Sequence, residues 1–265
     1  MKVLALLAGI ALCEVAFCQE IVTLQTRPGV TQSFFIADRG EHKFEAVAML
    51  LIGGGGNIRL RLQDGRPKFS QGNFLPRSRR EFIRNGILPV ILDNPSDQQA
   101  GDGMSEAFRE SAEHVADIRA VRAELEKRYP GLPVFIVGTS RSTLSAAHLA
   151  RSLPGELKGA VLTSSLFYSG VGQRARQVLA AYRWEQIRIP LLFVHHQDDG
   201  CRATPYREAQ RLGSRYPLIT VYGGKPPESA PCEPLSNHGF FGREAETVDA
   251  IAAWILAKPF AKEIR

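Results

Sequence analysis

Pro133-Val134-Phe135-Ile136-Val137-Gly138-Thr139-Ser140-Arg141-Ser142 is the segment around which the rest of the chain can be ordered. Val134 to Val137 is an apolar run of strand length. Gly138 to Ser142 is a turn, and the alanine-rich stretch Thr143 to Leu153 that follows has helical character. A strand, a sharp turn and a helix with serine at the apex lift the serine oxygen above the strand end. They also leave the next backbone N–H free to bind an oxyanion. Residues flanking such a serine must be small, because strand and helix nearly touch there. Gly138 meets that demand two positions before Ser140. Ser142, two positions after it, is small but departs from the G-x-S-x-G form. Taken alone, the pentapeptide describes a helix-capping serine equally well.

Before this segment, Glu20 to Arg27 and Gln32 to Ala37 read as two strands around Pro28-Gly29. Glu45 to Ile52 reads as a longer strand running into Gly53-Gly54-Gly55-Gly56, and residues 57–76 as a polar loop. Arg77 to Arg84 is expected as a short helix and Ile87 to Leu92 as another strand. Ser105 is expected to cap one long helix ending at Tyr129, with Phe108, Ala112, Val115, Ile118, Val121 and Leu125 on its apolar face. After the segment come a strand over Ala160 to Thr163 and a small cap over roughly residues 166–188. A strand over Pro190 to His195, a helix over Tyr206 to Tyr216 and a last strand over Leu218 to Tyr222 follow. A Gly/Pro-rich loop then leads to a closing helix over Arg243 to Ala257. Strands alternating with helices imply an α/β fold, with a mostly parallel central sheet covered by helices on both faces. Polar clusters at the strand ends place a ligand crevice at the carboxyl edge of that sheet.

At the N-terminus, Lys2, the apolar run Val3 to Cys13 and the small-x-small end Ala16-Phe17-Cys18 describe a secretory leader, so residues 1–18 are expected to be removed. The apolar run is shorter than the roughly 20 residues that span a bilayer, so no stable membrane insertion is expected. The remainder, 19–265, suits a single domain, exported to a periplasmic or extracellular setting. The formal charge of +6 is partly concentrated between Arg59 and Arg84, where eight Lys/Arg face only Asp64 and Glu81. No aromatic or RNA-binding motif interleaves that stretch, so it reads as a solvated face and no nucleic-acid partner is expected. Of four cysteines, Cys201 and Cys232 outlast the leader. An even pair in an oxidising compartment suggests one disulfide, with two separate thiols or a redox pair as alternatives.

Three clusters fall into chain order. Ser140 follows one strand, Asp198-Asp199 follow a later one, and Asn237-His238-Gly239 lie in the last loop before the closing helix. Through the Gly138–Ser142 turn, the Val194-His195-His196-Gln197-Asp198-Asp199-Gly200-Cys201 turn and Asn237-His238-Gly239-Phe240, the chain resembles the α/β-hydrolase superfamily over nearly its whole mature length. The resemblance is to secreted bacterial members with few insertions. It implies a catalytic Ser140, Asp199 and His238, since Ser-Asp-His is the chain order of that superfamily's triads. Asp199 is preferred to Asp198 because His195 to Asp199 fits an H-G-x-x-D frame, with His196 in the glycine place. Serine needs a base, His238, and the imidazole needs an acid to fix its tautomer. The oxyanion donors would be the backbone N–H of Arg141 and that of Gly54 or Gly55.

If such a triad assembles, the acid and histidine loops lie side by side, and Cys201 and Cys232 come to one neighbourhood. The glycine run lacks G-x-G-x-x-G spacing and a Walker lysine, so a phosphate loop is rejected. No histidine set has metal spacing, and no cofactor is expected. His42, His114, His148, His195 and His196 read as packing or supporting residues, while Phe167, Tyr168 and Phe240 are candidates to line a substrate pocket. The expected activity is serine hydrolysis of a small-molecule ester or related acyl compound. The alternatives are a peptidase, a thioesterase or a non-catalytic binding protein on the same fold. The sequence carries no signal for oligomeric state.

Overall fold

The structure is a computed structural model and describes residues 20–37, 43–170 and 176–265. The expected leader, His42 and part of the expected cap therefore lie outside the described residues. Strands β1 (Glu20–Arg27) and β2 (Val30–Ile36) form an antiparallel hairpin turning at Gly29. Strand β3 (Ala46–Leu51) runs into the glycines. The stretch expected as a polar loop instead carries a small hairpin, β4 (Arg61–Gln63) with β5 (Arg66–Lys68), and the helical turn α1 (Phe74–Arg77). Helix α2 (Arg79–Arg84) and strand β6 (Ile87–Leu92) follow.

The long helix expected from Ser105 is two helices. The Ser105 hydroxyl accepts from the Phe108 N–H and caps only α3 (Glu106–Arg109). The Ser111 hydroxyl then accepts from the His114 N–H and starts α4 (Ala112–Arg128). Both cap-competent serines, six positions apart, are used, so the chain starts a second helix at Ser111, from which Val115, Ile118, Val121 and Leu125 face the core. Phe108 and Ala112 drop out of that face, and the break turns Arg109 fully inward.

Strand β7 (Val134–Thr139) and helix α5 (Ser142–Ser152) frame the serine turn. Beyond them lie β8 (Gly159–Thr163), the short pair β9 (Tyr168–Ser169) with β10 (Arg176–Gln177), β11 (Leu191–His196), α6 (Tyr206–Leu212), β12 (Leu218–Val221) and α7 (Glu244–Ile255). A two-residue strand, β13 (Glu263–Ile264), adds to the sheet edge after the helix expected to close the chain. The described strands give a nine-stranded sheet in the order β1-β2-β6-β3-β7-β8-β11-β12-β13. Only β2 runs against its neighbours, and all pairs from β6 onward are parallel.

Alternation along the strands splits the core in two. Val47, Met49, Leu51, Val134 and Ile136 pack with α4 and α5 on one face. Ala48, Leu50, Phe135 and Val137 pack with α2 and α7 on the other. Each fully buried aliphatic side chain contributes about 1.5–3 kcal/mol, and this doubly covered sheet is what holds the strand ends rigid.

Two buried histidines are expected to make the fold acid-sensitive. Burial pushes His114 and His195 down to about 3, with the Arg109 charge adding to the effect at His114. The His195 ring is neutral, accepting the Ser165 N–H at Nε2. The unfolded chain binds protons at these side chains near pH 6.5, whereas the native chain does not until far lower. Stability should therefore fall as pH drops from about 6.5 toward 3, by about 1.4 kcal/mol per unit for each histidine. Urea midpoints at pH 7.5 and 5 measure this. His195→Asn, which can still accept the Ser165 N–H, should flatten the dependence, and an unchanged slope would remove His195 from the account.

Candidate functional site

Ser140 sits between β7 and α5 with φ +53°, in the left-handed region that non-glycine residues avoid. Its N–H is held by the Thr163 carbonyl at 3.0 Å, so the sheet fixes the turn from below. The close approach of strand and helix is real. A Cβ on Gly138 would stand 2.6 Å from the Ser142 carbonyl oxygen and 3.0 Å from the Ala146 methyl. One on Gly53 would stand 3.1 Å from the Ser140 Cβ. Ser142 fits in the place of a second glycine because its hydroxyl turns away from Gly138 and donates to the Ile52 carbonyl.

The acid turn follows β11. The Asp199 carboxylate is fully buried and makes three contacts. Oδ1 accepts from the Cys201 N–H at 2.9 Å, while Oδ2 accepts from Thr204 Oγ1 at 2.8 Å and lies 3.0 Å from His238 Nδ1. Asp198 is exposed and engages its neighbours through its backbone, with its N–H on His196 Nδ1 and its carbonyl on the Asn237 amide. The structure thus brings Asp199, not Asp198, to His238.

His238 lies in a single 3-10 turn, Asn237–Gly239, started by the Ser236 hydroxyl, which accepts the His238 N–H. The turn is gripped from two sides. The His238 carbonyl accepts from Ser164 Oγ at 2.7 Å, and the Gly239 carbonyl accepts from the Arg77 guanidinium at 2.6 Å. A Cβ at Gly239 would come within 2.0 Å of the Pro234 oxygen, so only glycine can follow His238 here. Facing a carboxylate, Nδ1 carries the proton. Nε2 is buried and has no partner among the described residues.

His238 and Ser140 line one cleft of about 570 Å³, together with Ile52, Ile58, Phe74 and Leu166 on its apolar walls. That volume is in the range of small-molecule sites. The Arg141 N–H, at the start of α5, has no acceptor among the described residues, and neither have those of Gly53 and Gly54, which also line the cleft. Gly55 is placed elsewhere. It packs against the loop at Asp102, where its carbonyl accepts from the Met104 N–H and the Asn94 amide. Of the two glycines expected as donors, Gly54 is therefore the one at the cleft. Of the aromatic candidates, Tyr168 lines it, whereas Phe167 stacks on His195 and Phe240 packs on Phe74, both fully buried.

Cys201 and Cys232 are disulfide-bonded, with Cα atoms 4.6 Å apart. The bond joins the acid turn to the segment preceding His238. Closing a 31-residue separation restricts the unfolded chain by roughly 3–4 kcal/mol in the chain-entropy account. Reduction should lower the urea midpoint correspondingly, as measured with and without a phosphine reductant. An unchanged midpoint, with both thiols shown free by mass mapping, would mean the bond holds nothing. Among the described residues no group of His, Cys, Asp or Glu side chains is arranged to hold a metal ion. Nor is any described helix long and apolar enough to cross a membrane.

Sequence reasoning missed Thr204, Ser164, Arg77 and Arg109. Ser164, Arg77 and Arg109 touch the site through backbone or hydroxyl contacts made across the fold, and Thr204, five residues past Asp199, through a hydroxyl that no motif marks.

No protein-family model matches the chain, and no curated protein matches its sequence. Solved structures do. An esterase of Pyrococcus furiosus, Pf2001, superposes with a TM-score of 0.61 at 14% identity, over 96% of this chain and 97% of that one. Est1E from Butyrivibrio proteoclasticus gives 0.57 at 13% identity, over 89% and 98%. An alpha-beta serine hydrolase homologue from Coxiella burnetii gives 0.57 at 13% identity, over 90% and 98%. With the sheet order above, these likenesses show that the chain has the α/β-hydrolase fold.

Proposed function

We propose that the protein is a serine hydrolase that cleaves a small ester or related acyl compound through an acyl-enzyme. One observation carries this reading: His238, whose Nδ1 lies on the buried Asp199 carboxylate, lines the same cleft as Ser140, and its Nε2 has no hydrogen-bond partner among the described residues. In the reaction, Ser140 Oγ attacks the acyl carbon as its proton passes to His238 Nε2. The carbonyl oxygen becomes an oxyanion between the N–H groups of Arg141 and Gly54. His238 then protonates the leaving oxygen, and the acyl group remains on Ser140. Water repeats the sequence from the other side, releasing the acid and restoring the serine. The Asp199 carboxylate stabilises the imidazolium formed in each half. The names of the structural neighbours, esterases and a serine hydrolase homologue, support the class.

Labelling with a fluorophosphonate probe, followed by turnover of p-nitrophenyl esters of graded acyl length, tests the reading. Labelling at Ser140 with ester turnover is the expected result. Labelling with turnover of thioesters or peptides alone would move the substrate class, and a wild-type protein that neither labels nor turns over would remove catalysis altogether. We further propose export with loss of the leader, for which the disulfide is suited. Intact mass of protein from the periplasm or medium should begin near residue 19, and a chain retaining Met1 would contradict it.

A further inference from the structure

Arg109 is fully buried, with its Nε unpartnered and no salt bridge to it among the described residues. Burial and the neighbouring Arg141 charge lower it to about 9. A guanidinium in that position contributes little to stability, since an unpaired buried charge costs more than apolar packing would. Its contacts all lead to the turn beside the serine. Nη2 donates to the Gly54 carbonyl at 2.9 Å, and Nη1 donates to Ser142 Oγ at 3.1 Å and Ser145 Oγ at 3.2 Å. Ser142 Oγ in turn donates its own proton to the Ile52 carbonyl.

We infer that Arg109 and Ser142 are positioning residues that fix the oxyanion turn against the serine turn as one hydrogen-bonded unit. The two carbonyls they hold, Ile52 and Gly54, belong to the peptides on either side of the Gly53–Gly54 peptide. Holding the peptides on both sides restricts how far the plane between them, and with it the Gly54 N–H, can reorient. The turn needs this. Four successive glycines have no side chains of their own to restrict them, and Gly54 occupies φ +62°. Ser142 thereby acquires a reason. A glycine in its place would permit the same close approach to Gly138 but would leave the Ile52 carbonyl and one guanidinium nitrogen without their shared partner. Both oxyanion donors are then tied together, since the Arg141 N–H immediately precedes Ser142.

The inference rests on the hydrolase reading, and its experiment separates the two. Wild-type protein, Ser142→Gly and Arg109→Met are compared for kcat, KM and inhibition by an alkylboronic acid, which forms a tetrahedral adduct with the serine and puts an oxygen in the oxyanion site. A pre-organised donor matters in the transition state and little in the ground state. Each variant should therefore lose about 10- to 100-fold in kcat, keep KM within about 3-fold, and bind the boronate more weakly by a factor similar to the kcat loss. Arg109→Lys, which can reach the Gly54 carbonyl but not both partners, should recover part of the loss. A folded Ser142→Gly with wild-type kcat and boronate affinity overturns the inference while leaving the hydrolase reading intact, and it decides the matter even where Arg109→Met does not fold. Losses confined to thermal stability, or rises in KM alone, would also overturn it. A wild-type protein inert to ester and probe would bring down both.

Discussion

Ser140→Ala should leave a folded protein that no longer reacts with a fluorophosphonate and has lost acyl hydrolysis by a factor on the order of 10⁴ or more. The size follows from the division of labour in the cleft. In the proposed mechanism, with the nucleophile gone, His238 and the two N–H donors would only assist direct attack by water, which leaves a small residue of the original rate. His238→Ala should do comparable damage rather than add to it, because base and nucleophile serve one proton transfer. Stability offers an independent check on the same residue. Ser140 is held at φ +53°, a strain of about 1–3 kcal/mol for a non-glycine side chain. Ser140→Ala keeps that strain, whereas Ser140→Gly relieves it, so the glycine variant should be inactive and yet unfold at higher temperature than the alanine variant. Wild-type turnover in either would place the chemistry on another residue. Equal melting temperatures would show that the turn is not strained in solution.

The parts legible in the sequence are those whose physics is local. The unbroken apolar runs within Val134 to Val137 and Glu45 to Ile52 mark strands buried on both faces, and the small residues around Ser140 mark a turn where strand and helix touch. Chain order then placed Asp199 and His238, because parallel strands deliver their following loops to one sheet edge. Equivalent signals obscured the rest. Ser105 and Ser111 are both good caps and both start helices, and the periodicity that runs on through Val115 and Leu125 does not mark the break between them. Strand β13 is two residues long and exists through its pairing with β12, so it has no periodicity to read. Gly54 and Gly55 are identical in sequence, and the contact of Gly55 with Asp102 separates them. Arg109 is not among the residues expected on the apolar face of one continuous helix. A helix break moved it under the glycine turn, and a buried arginine paired with carbonyls and hydroxyls leaves no charge pattern behind.

Asp199→Asn should lower kcat by about 10³- to 10⁴-fold at neutral pH with little change in KM, while Asp198→Asn should stay within a few-fold of wild type. The hydrogen bonds around the carboxylate dictate how asparagine must sit. Oδ1 receives the Cys201 N–H, a donor with a fixed direction, so the amide oxygen has to occupy that place. The amide NH2 then takes the place of Oδ2, facing His238 Nδ1 and Thr204 Oγ1. There it donates to Nδ1, which must become the unprotonated nitrogen, and the single ring proton moves to Nε2. The base now presents an N–H to Ser140 and cannot take its proton. Thr204 can turn its hydroxyl to the Cys201 carbonyl, so the exchange leaves the local fold nearly undisturbed and the defect is one of tautomer. Asp198 makes its contacts through its backbone, and an exposed amide in its place alters none of them. The two variants are compared by kcat, KM and circular dichroism on the same ester. A large loss in Asp198→Asn with Asp199→Asn near normal would shift the acid by one residue. Small, equal losses in both would mean that the imidazole keeps its tautomer without a carboxylate, and that the His238–Asp199 contact is structural.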